Sequence, residues 1–246
     1  MLMTARPRRA IQALLLACAG IGVLWAVSMV RVTTRQGVNF QLSVRSIPLY
    51  AKAVAFLHRH VEYGLVVQEI TRGLRSDAER AQAIYAWTRT HIRQTPKGWP
   101  VIDDHVLNIM IRGYGANDQM ADVFTTLCAY AGLPAFYRQR PLIMSFARVD
   151  GRWAMFDVAN GLVFTDASGR FLDAAELLGH PELAEPVAGS LRLNGVPYVE
   201  YLKQSVAFQE PEVRRPDLQM PLSRLVFELR RALRLSPAAP LAPGPA

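Results

Sequence analysis

A polar cluster at the start of a helix is the part of this sequence best placed to do chemistry. Asn117, Asp118 and Gln119 follow a glycine-rich turn and open an amphipathic segment that ends at a Gly132-Leu-Pro stop. The positive end of a helix dipole lowers the pKa of a thiol, so this position suits a nucleophile. Asn117 stands there instead, and its neutral amide is a poor nucleophile. Because an Asn oxygen can accept from the backbone N–H of Gln119 or Met120, we expect Asn117 to be the helix N-cap.

A hairpin further along the chain carries a candidate carboxylate. Asp150-Gly151 is a strong turn signal between two strand-like stretches, and Asp157 ends the returning stretch. Trp153 lies between them. A carboxylate at this place can orient a base or bind a donor group.

These two segments together resemble the transglutaminase-like superfamily, whose members share a papain-like core with a Cys-His-Asp triad. In that family a Gly-x-Gly-x-Cys-Asp-Gln turn leads into the nucleophile helix, which ends in Gly-Ile/Leu-Pro. A His-x-Trp-x-Glu strand follows, then Gly-x-Trp and an Asp four residues after the Trp. The matching positions here are Gly113, Gly115, Asp118, Gln119, Ala121, Phe124, Leu127, Gly132, Leu133, Pro134, Gly151, Trp153 and Asp157. The resemblance covers approximately residues 75 to 165.

The resemblance implies a degenerate triad. The nucleophile column falls on Asn117, and counting back nine residues from Gly151 puts Leu142 in the histidine column. Of the three triad positions only Asp157 is kept. We expect Asn117 to start a helix that packs on the hairpin of residues 142 to 157, with Leu142 in a strand that faces this helix.

Other thiols and imidazoles offer no clear replacement. Cys128 lies on the buried face of the same helix, and Cys18 lies in an apolar segment, so no disulfide is implied. The five histidines are His58, His60, His91, His105 and His180. None lies in the hairpin. His105 is the one that could face the cleft. The alternative is that His105 is a solvent-exposed loop residue.

The N-terminal segment predicts a membrane anchor. From Ala10 to Val30 only Gln12 and Ser28 are polar, which is long enough for a helix to span a bilayer. Cleavage would leave an apolar mature N-terminus, so we predict an uncleaved signal anchor. Positive charges on both sides of the span nearly balance. A short stub before a single span favours a cytoplasmic N-terminus with the domain outside.

The distribution of charge argues against nucleic-acid binding. The net charge of +8 equals the eight basic residues that precede the first acidic residue, Glu62, and leaves 20 basic against 20 acidic residues in the remainder. The folded part is therefore neutral in sum, and the high pI reflects a membrane-proximal basic segment.

Periodicity and turn signals predict an α+β class, with helices followed by an antiparallel sheet. The predicted elements are a short strand or extended linker over 38–44, one long or two shorter helices over 47–73, a helix opened by a Ser76 capping box, a short helix over 105–111, strands over 135–139, 143–149 and 152–157, a short helix over 173–178, and an amphipathic helix over 221–235. The predicted segments are a basic stub (1–9), a transmembrane anchor (10–30), a membrane-proximal segment (31–74), a transglutaminase-like domain (75–180), a C-terminal extension (181–235) and a disordered tail (236–246).

Two function classes follow. The first is a membrane-anchored, non-catalytic transglutaminase-like protein that binds a peptide, protein or glycan in the cell envelope, without cofactor or metal. Its candidate cleft residues beside the triad positions are Asp118, Gln119, Trp153 and His105. The second is a cell-envelope hydrolase or acyltransferase with relocated chemistry on Asp157, Asp118 and His105, which would require carboxylate and imidazole to converge with shifted pKa values.

Overall fold

The N-terminal helix is exposed over nearly all of its described length. The computed structural model describes residues 5–235 and the side chains of residues 10–235. Helix α1 (Ala5–Ser28) begins inside the predicted basic stub, and its side chains from residue 10 to residue 27 are all exposed. It is long and apolar enough to cross a membrane. The predicted tail over 236–246 and residues 1–4 lie outside the described residues.

A β-hairpin connects this helix to the domain. Strands β1 (Arg31–Val38) and β2 (Gln41–Pro48) pair antiparallel along their whole length. The expectation of one short strand or a linker over 38–44 was wrong. The turn uses Asn39 and Phe40, both at positive φ, a conformation that two-residue hairpin loops require. Phe is an unusual residue at such a position, so this turn has no Asn-Gly-like signal in the sequence.

Two long helices follow the hairpin. Helix α2 (Leu49–Ile70) is one continuous helix, and the Leu49 N–H donates to the Val30 carbonyl at 2.8 Å, so α2 starts beside the end of α1. Helix α3 (Asp77–His91) has Ser76 as its N-cap in a capping box with Glu79, as predicted. Its predicted inner face is buried, and consists of Ala81, Ile84, Tyr85, Thr88 and the following Ile92.

Short elements lead to the central helix. They are β3 (Arg93–Gln94), β4 (Ile102–Asp103), α4 (Val106–Arg112), β5 (Tyr114–Gly115) and α5 (Asn117–Tyr130). Strand β4 pairs with β1 of the hairpin, and β3 runs parallel to β5. This second pairing holds the turn before α5 against the chain that leaves α3.

The central sheet has four antiparallel strands in sequence order. They are β6 (Ala135–Arg138), β7 (Met144–Val149), β8 (Arg152–Asp157) and β9 (Leu162–Val163). Asp150 and Gly151 form the predicted turn between β7 and β8, both at positive φ. Helix α5 packs on one face of this sheet, where the Phe124 and Phe156 rings lie 4.8 Å apart.

The other face of the sheet is covered by the C-terminal part of the chain. The elements there are α6 (Ala174–Gly179), a 3₁₀ turn (Pro181–Ala184), α7 (Glu185–Ala188), β10 (Arg192–Leu193), β11 (Val196–Pro197) and α8 (Tyr198–Lys203). Ala184, Tyr198 and Leu202 are buried in this second cluster with Phe146 and Met155 of the sheet. The predicted α+β class is confirmed, with the sheet between α5 and these helices. The proposed boundary at residue 180 stays a prediction.

The last elements of the described residues are a 3₁₀ turn (Arg215–Gln219) and helix α9 (Pro221–Ala232). The 3₁₀ turn is held to the domain by Tyr130, whose hydroxyl donates to the Gln219 carbonyl at 2.9 Å. The amphipathic helix predicted over 221–235 is present and is three residues shorter at its C-terminal end.

Candidate functional site

The start of helix α5 is fixed by a tightly packed turn. Gly113 ends α4 in the left-handed region at φ 71°, which favours glycine. A Cβ added at Gly115 would lie 3.1 Å from the Gln119 side chain and 3.2 Å from Ile109. The resemblance placed a glycine at both positions, and the structure gives each a physical reason.

Asn117 is the first residue of α5, not its N-cap. The N-cap is Ala116, and no side chain caps it. The prediction that the Asn117 oxygen accepts from the backbone N–H of Gln119 or Met120 is therefore wrong. A residue already in helical conformation does not direct its side chain at the second or third amide as an N-cap does. Asn117 is exposed, and its Oδ1 instead accepts from Gln94 Nε2 at 3.2 Å.

Gln119 stabilises the turn from inside. It is buried; its Oε1 accepts from the Ala116 N–H at 3.0 Å and from Arg112 Nη2 at 3.2 Å, and its Nε2 donates to the Ile102 carbonyl at 2.6 Å. With these bonds the amide joins β4, α4 and α5 in one network. The Gln119 side-chain amide is therefore hydrogen-bonded to the protein itself.

Asp157 ends strand β8 and is almost fully buried, with 1% exposure. Asn160 donates to it twice, through the backbone N–H at 2.9 Å and through Nδ2 at 2.8 Å. The Tyr198 hydroxyl donates to Oδ2 at 2.8 Å, and burial together with the Asp157 carboxylate raises the pKa of that hydroxyl. A buried carboxylate needs such donors.

Leu142 lies in the loop before β7, and its side chain is buried in the second cluster behind the sheet. The expectation that it lies in a strand facing α5 was wrong. Side chains alternate across a strand, and Met144 and Phe146 in β7 face the second cluster, whereas Ala147 and Val149 face α5. Leu142 extends the Met144 and Phe146 series, so it belongs to the face away from the helix.

The three triad positions nevertheless meet at one surface pocket of about 420 Å³. Its lining residues are Asn117, Gln139, Pro141, Leu142, Ile143, Asp157, Ala159, Asn160, Arg192, Leu193 and Asn194. Among the described residues that line it, there is neither a cysteine nor a histidine. Side-chain amides and the guanidinium of Arg192 make up its remaining polar groups. The pocket can donate and accept hydrogen bonds, and Asp157 is the one carboxylate among its described lining residues.

The other predicted cleft residues lie elsewhere. Trp153 packs behind the sheet on Phe136, with ring centroids 5.2 Å apart. Asp118 follows Asn117 but does not line the pocket, and burial raises its pKa. His105 precedes α4, is exposed and also lies outside the pocket lining. The structure therefore does not bring His105 together with Asp157.

The one cysteine of the domain is unsuited to chemistry in the pocket. Cys128 lies on the inner face of α5 and is fully buried in the apolar core. This burial raises the pKa of its thiol well above the usual value. Cys18 lies on the exposed apolar helix α1. Among the described residues, no three His, Cys, Asp or Glu side chains are grouped so that they could hold a metal ion.

Four polar residues of the site had no signal in the sequence. They are Gln94 of strand β3, Asn160 of the loop after β8, Arg192 of the β10–β11 hairpin and Tyr198 of α8. Gln94 also donates to the Ala159 carbonyl at 3.4 Å, which links the start of α5 to the loop after β8. Only Asn160, three residues after Asp157, could have been noted as a local turn partner.

The fold is an α+β core in which helix α5 packs on a four-stranded antiparallel sheet. Residues 65–142 match the model of the Transglutaminase-like superfamily, a stretch that contains the turn, helix α5 and the loop to Leu142. The match spans less than half of the chain and includes the turn and helix whose motifs resemble that family.

Two solved structures show a distant similarity. A candidate protease from Parabacteroides distasonis is 16% identical over 39% of this chain and 23% of its own, with a TM-score of 0.33. A candidate cysteine protease from Cytophaga hutchinsonii is 17% identical over 42% of this chain and 40% of its own, with a TM-score of 0.35. The chain therefore spans less than half the length of either relative. No curated protein matches the chain significantly.

Proposed function

We propose that this chain is a membrane-anchored, non-catalytic transglutaminase-like protein that uses the pocket at Asn117 and Asp157 to bind a peptide, protein or glycan of the cell envelope. One observation carries the proposal: in the pocket where the three triad positions meet, Asn117 and Leu142 stand in place of a thiol and an imidazole, and the other polar lining groups are amides, Asp157 and Arg192.

The hydrogen bonds of Asp157 support this proposal. In a Cys-His-Asp triad the carboxylate must be free to accept from the imidazole that it orients. Here Oδ1 accepts from the Asn160 backbone, and Oδ2 accepts from both Asn160 Nδ2 and Tyr198. The carboxylate is thus engaged in holding the pocket wall to helix α8.

The composition of the pocket favours a polar, extended ligand. Primary amides such as those of Gln139 and Asn194 both donate and accept, as recognition of peptide groups or sugar hydroxyls requires. Arg192 adds a single exposed cation that can bind a carboxylate. A hydrolase with relocated chemistry on Asp157 and His105 is not favoured, because His105 lies outside the pocket.

Helix α1 supports anchoring in a membrane, and in the proposed topology the N-terminus is cytoplasmic and the domain lies on the outer side. In that orientation the pocket would face the envelope space, where peptides and glycans are the abundant polymers.

Binding by the full-length protein in nanodiscs tests the proposal, with a panel of short peptides and oligosaccharides with and without carboxylate groups. Arg192→Ala should weaken binding of carboxylate-bearing probes about tenfold, the loss of one charge-assisted hydrogen bond. Arg152→Ala is the matched control, since Arg152 is an exposed arginine outside the pocket. Equal affinities of the Arg192 and Arg152 variants, or no binding by any probe, would overturn the proposed role of the pocket.

A further inference from the structure

Helix α9 carries an exposed apolar stripe. Leu222, Val226, Leu229 and Leu233 recur with the spacing of one helical face. Their exposures are 74%, 41%, 53% and 67%, whereas Phe227 on a different face is 8% exposed. The helix therefore contacts the domain through Phe227 and leaves its apolar stripe uncovered.

The same helix is strongly basic. Pro221 to Leu235 contains four arginines, Arg224, Arg230, Arg231 and Arg234, against one acidic residue, Glu228, which gives a net charge of +3 (4 − 1). Glu228 pairs with Arg224 at 2.6 Å and with Arg231 at 3.0 Å. Among the described residues no carboxylate lies within ion-pair distance of Arg230 or Arg234, so these cations are available to a ligand.

From these two features we infer that α9 binds, through its leucine stripe and its arginines, to the anionic surface of the membrane in which α1 is anchored. An exposed apolar stripe on a basic helix is the arrangement of helices that lie at the boundary of headgroups and acyl chains. Arg230 follows Leu229 directly and so flanks the stripe, where a long side chain can reach the headgroups. Charge complementarity thus identifies an anionic bilayer as the occupant.

The position of α9 in the fold is compatible with this contact. Gln219, just before α9, bonds to Tyr130, and the Tyr130 hydroxyl also lies 2.9 Å from His60 Nδ1 of α2. His60 is eleven residues into α2, so it lies about 16 Å along that helix from the end of α1. Helix α9 therefore begins beside the half of the domain that adjoins the anchor.

Leu222 and Val226 of the stripe also line a groove of about 570 Å³, whose other lining residues include Glu210, Glu212 and Asp217. Arg214 pairs with Glu210 and with Asp217, both at 2.8 Å, which reduces the negative charge of this groove. The alternative to a bilayer is a partner protein bound in this groove. Fluorescence quenching by spin-labelled lipid and by aqueous iodide distinguishes the two.

The other exposed apolar helix face gives a matched comparison. Helix α2 exposes Val54, Leu57, Val61 and Leu65, but the cations on that helix, Lys52 and Arg59, lie on its opposite side by helical spacing. Leu57 is 51% exposed, close to the value for Leu229. The two leucines thus differ in the charge around them and not in exposure.

The test uses full-length protein carrying Leu229→Cys in a Cys18→Ser background, in which Cys128 stays buried. An environment-sensitive fluorophore attached at position 229 is measured in nanodiscs of equimolar phosphatidylcholine and phosphatidylglycerol, with spin-labelled lipids as quenchers. We expect strong quenching there, and several-fold less in pure phosphatidylcholine or at high salt. Arg230→Gln with Arg234→Gln should weaken the contact roughly fivefold per arginine. The same label introduced through Leu57→Cys should show no dependence on anionic lipid.

Three outcomes would overturn the inference. One is equal quenching at positions 57 and 229, and a second is quenching at 229 that is independent of phosphatidylglycerol. The third is a label at 229 that stays accessible to aqueous iodide in nanodiscs but is protected in native membranes, which would assign the stripe to a partner protein. None of these results bears on the pocket at Asn117, so this inference can fail separately from the proposed function.

Discussion

The Tyr198 hydroxyl donates a hydrogen bond to Asp157 Oδ2 at 2.8 Å, and both side chains are buried. This contact joins the last residue of strand β8 to helix α8, 41 residues further along the chain. It also occupies the carboxylate that a triad would direct at an imidazole. The contact thus joins the core to helix α8 and engages one oxygen of the carboxylate.

Removing that hydroxyl should weaken the fold. Tyr198→Phe leaves the ring in place and removes a donor to a buried carboxylate, so we expect a loss of about 1–3 kcal/mol in the free energy of unfolding. Thermal unfolding of the detergent-solubilised protein measures it. Tyr201→Phe is the control, because the Tyr201 hydroxyl donates to the neutral Leu193 carbonyl in a partly buried position. An equal effect of the two substitutions would contradict a special role for the bond to Asp157.

The two predicted helix caps should respond differently to truncation. Ser76 accepts from the Glu79 backbone at 3.1 Å, so Ser76→Ala should cost about 1 kcal/mol of stability. Asn117 is exposed and caps nothing, so Asn117→Ala should cost less than about 0.5 kcal/mol. Thermal melts of the two variants compare them directly. A loss at Asn117 as large as that at Ser76 would restore the capping interpretation.

A partly buried carboxylate on α5 should make stability depend on pH. Burial raises the pKa of Asp122 to about 6; Arg215 opposes this shift and Asp118 adds to it. The unfolded value is about 3.9, so the folded state binds more protons between pH 4 and 6, and this group destabilises the fold as pH rises through that window.

The substitution Asp122→Asn removes this titration. Above pH 7 it should raise the free energy of unfolding relative to the native protein by an amount on the order of 2 kcal/mol, and the gain should vanish near pH 4. Melts of both proteins across that range give the difference. A difference that is constant from pH 4 to 8 would show that Asp122 does not titrate as burial requires.

The proposed topology makes a separate prediction. Full-length protein should fractionate with membranes, and a protease added outside intact spheroplasts should digest the domain that follows α1. A cytoplasmic protein serves as the control for sealed membranes. Complete protection of the domain while that control is intact would place the domain in the cytoplasm.

The parts of the fold that depend on local signals were predictable from the sequence. The Ser76 capping box, the helix face of Met120, Phe124 and Leu127, and the Asp150-Gly151 turn each act within a few residues, and the structure has all three. The hairpin turn at Asn39 and Phe40 was missed because its positive φ values fall on a residue that rarely adopts them.

The second half of the site could not be predicted, since it depends on contacts distant in sequence. Tyr198 and Arg192 come from segments without a periodic or catalytic pattern, and only the packing of α8 behind the sheet brings them to Asp157 and the pocket. Leu142 was expected in a strand that faces α5, but it lies in the loop before β7 and packs behind the sheet with Met144 and Phe146.

The pocket is proposed to be non-catalytic, and an assay of amide and ester hydrolysis tests this proposal most directly. Purified full-length protein is assayed on peptide amide and ester substrates, with and without iodoacetamide, beside an active thiol protease as positive control. We predict no turnover above buffer and no effect of alkylation, since Asn117 and Leu142 supply neither nucleophile nor base. Turnover that is abolished by Cys128→Ser or by alkylation would contradict the claim, and so would turnover that survives Cys128→Ser and is lost with Asp157→Ala.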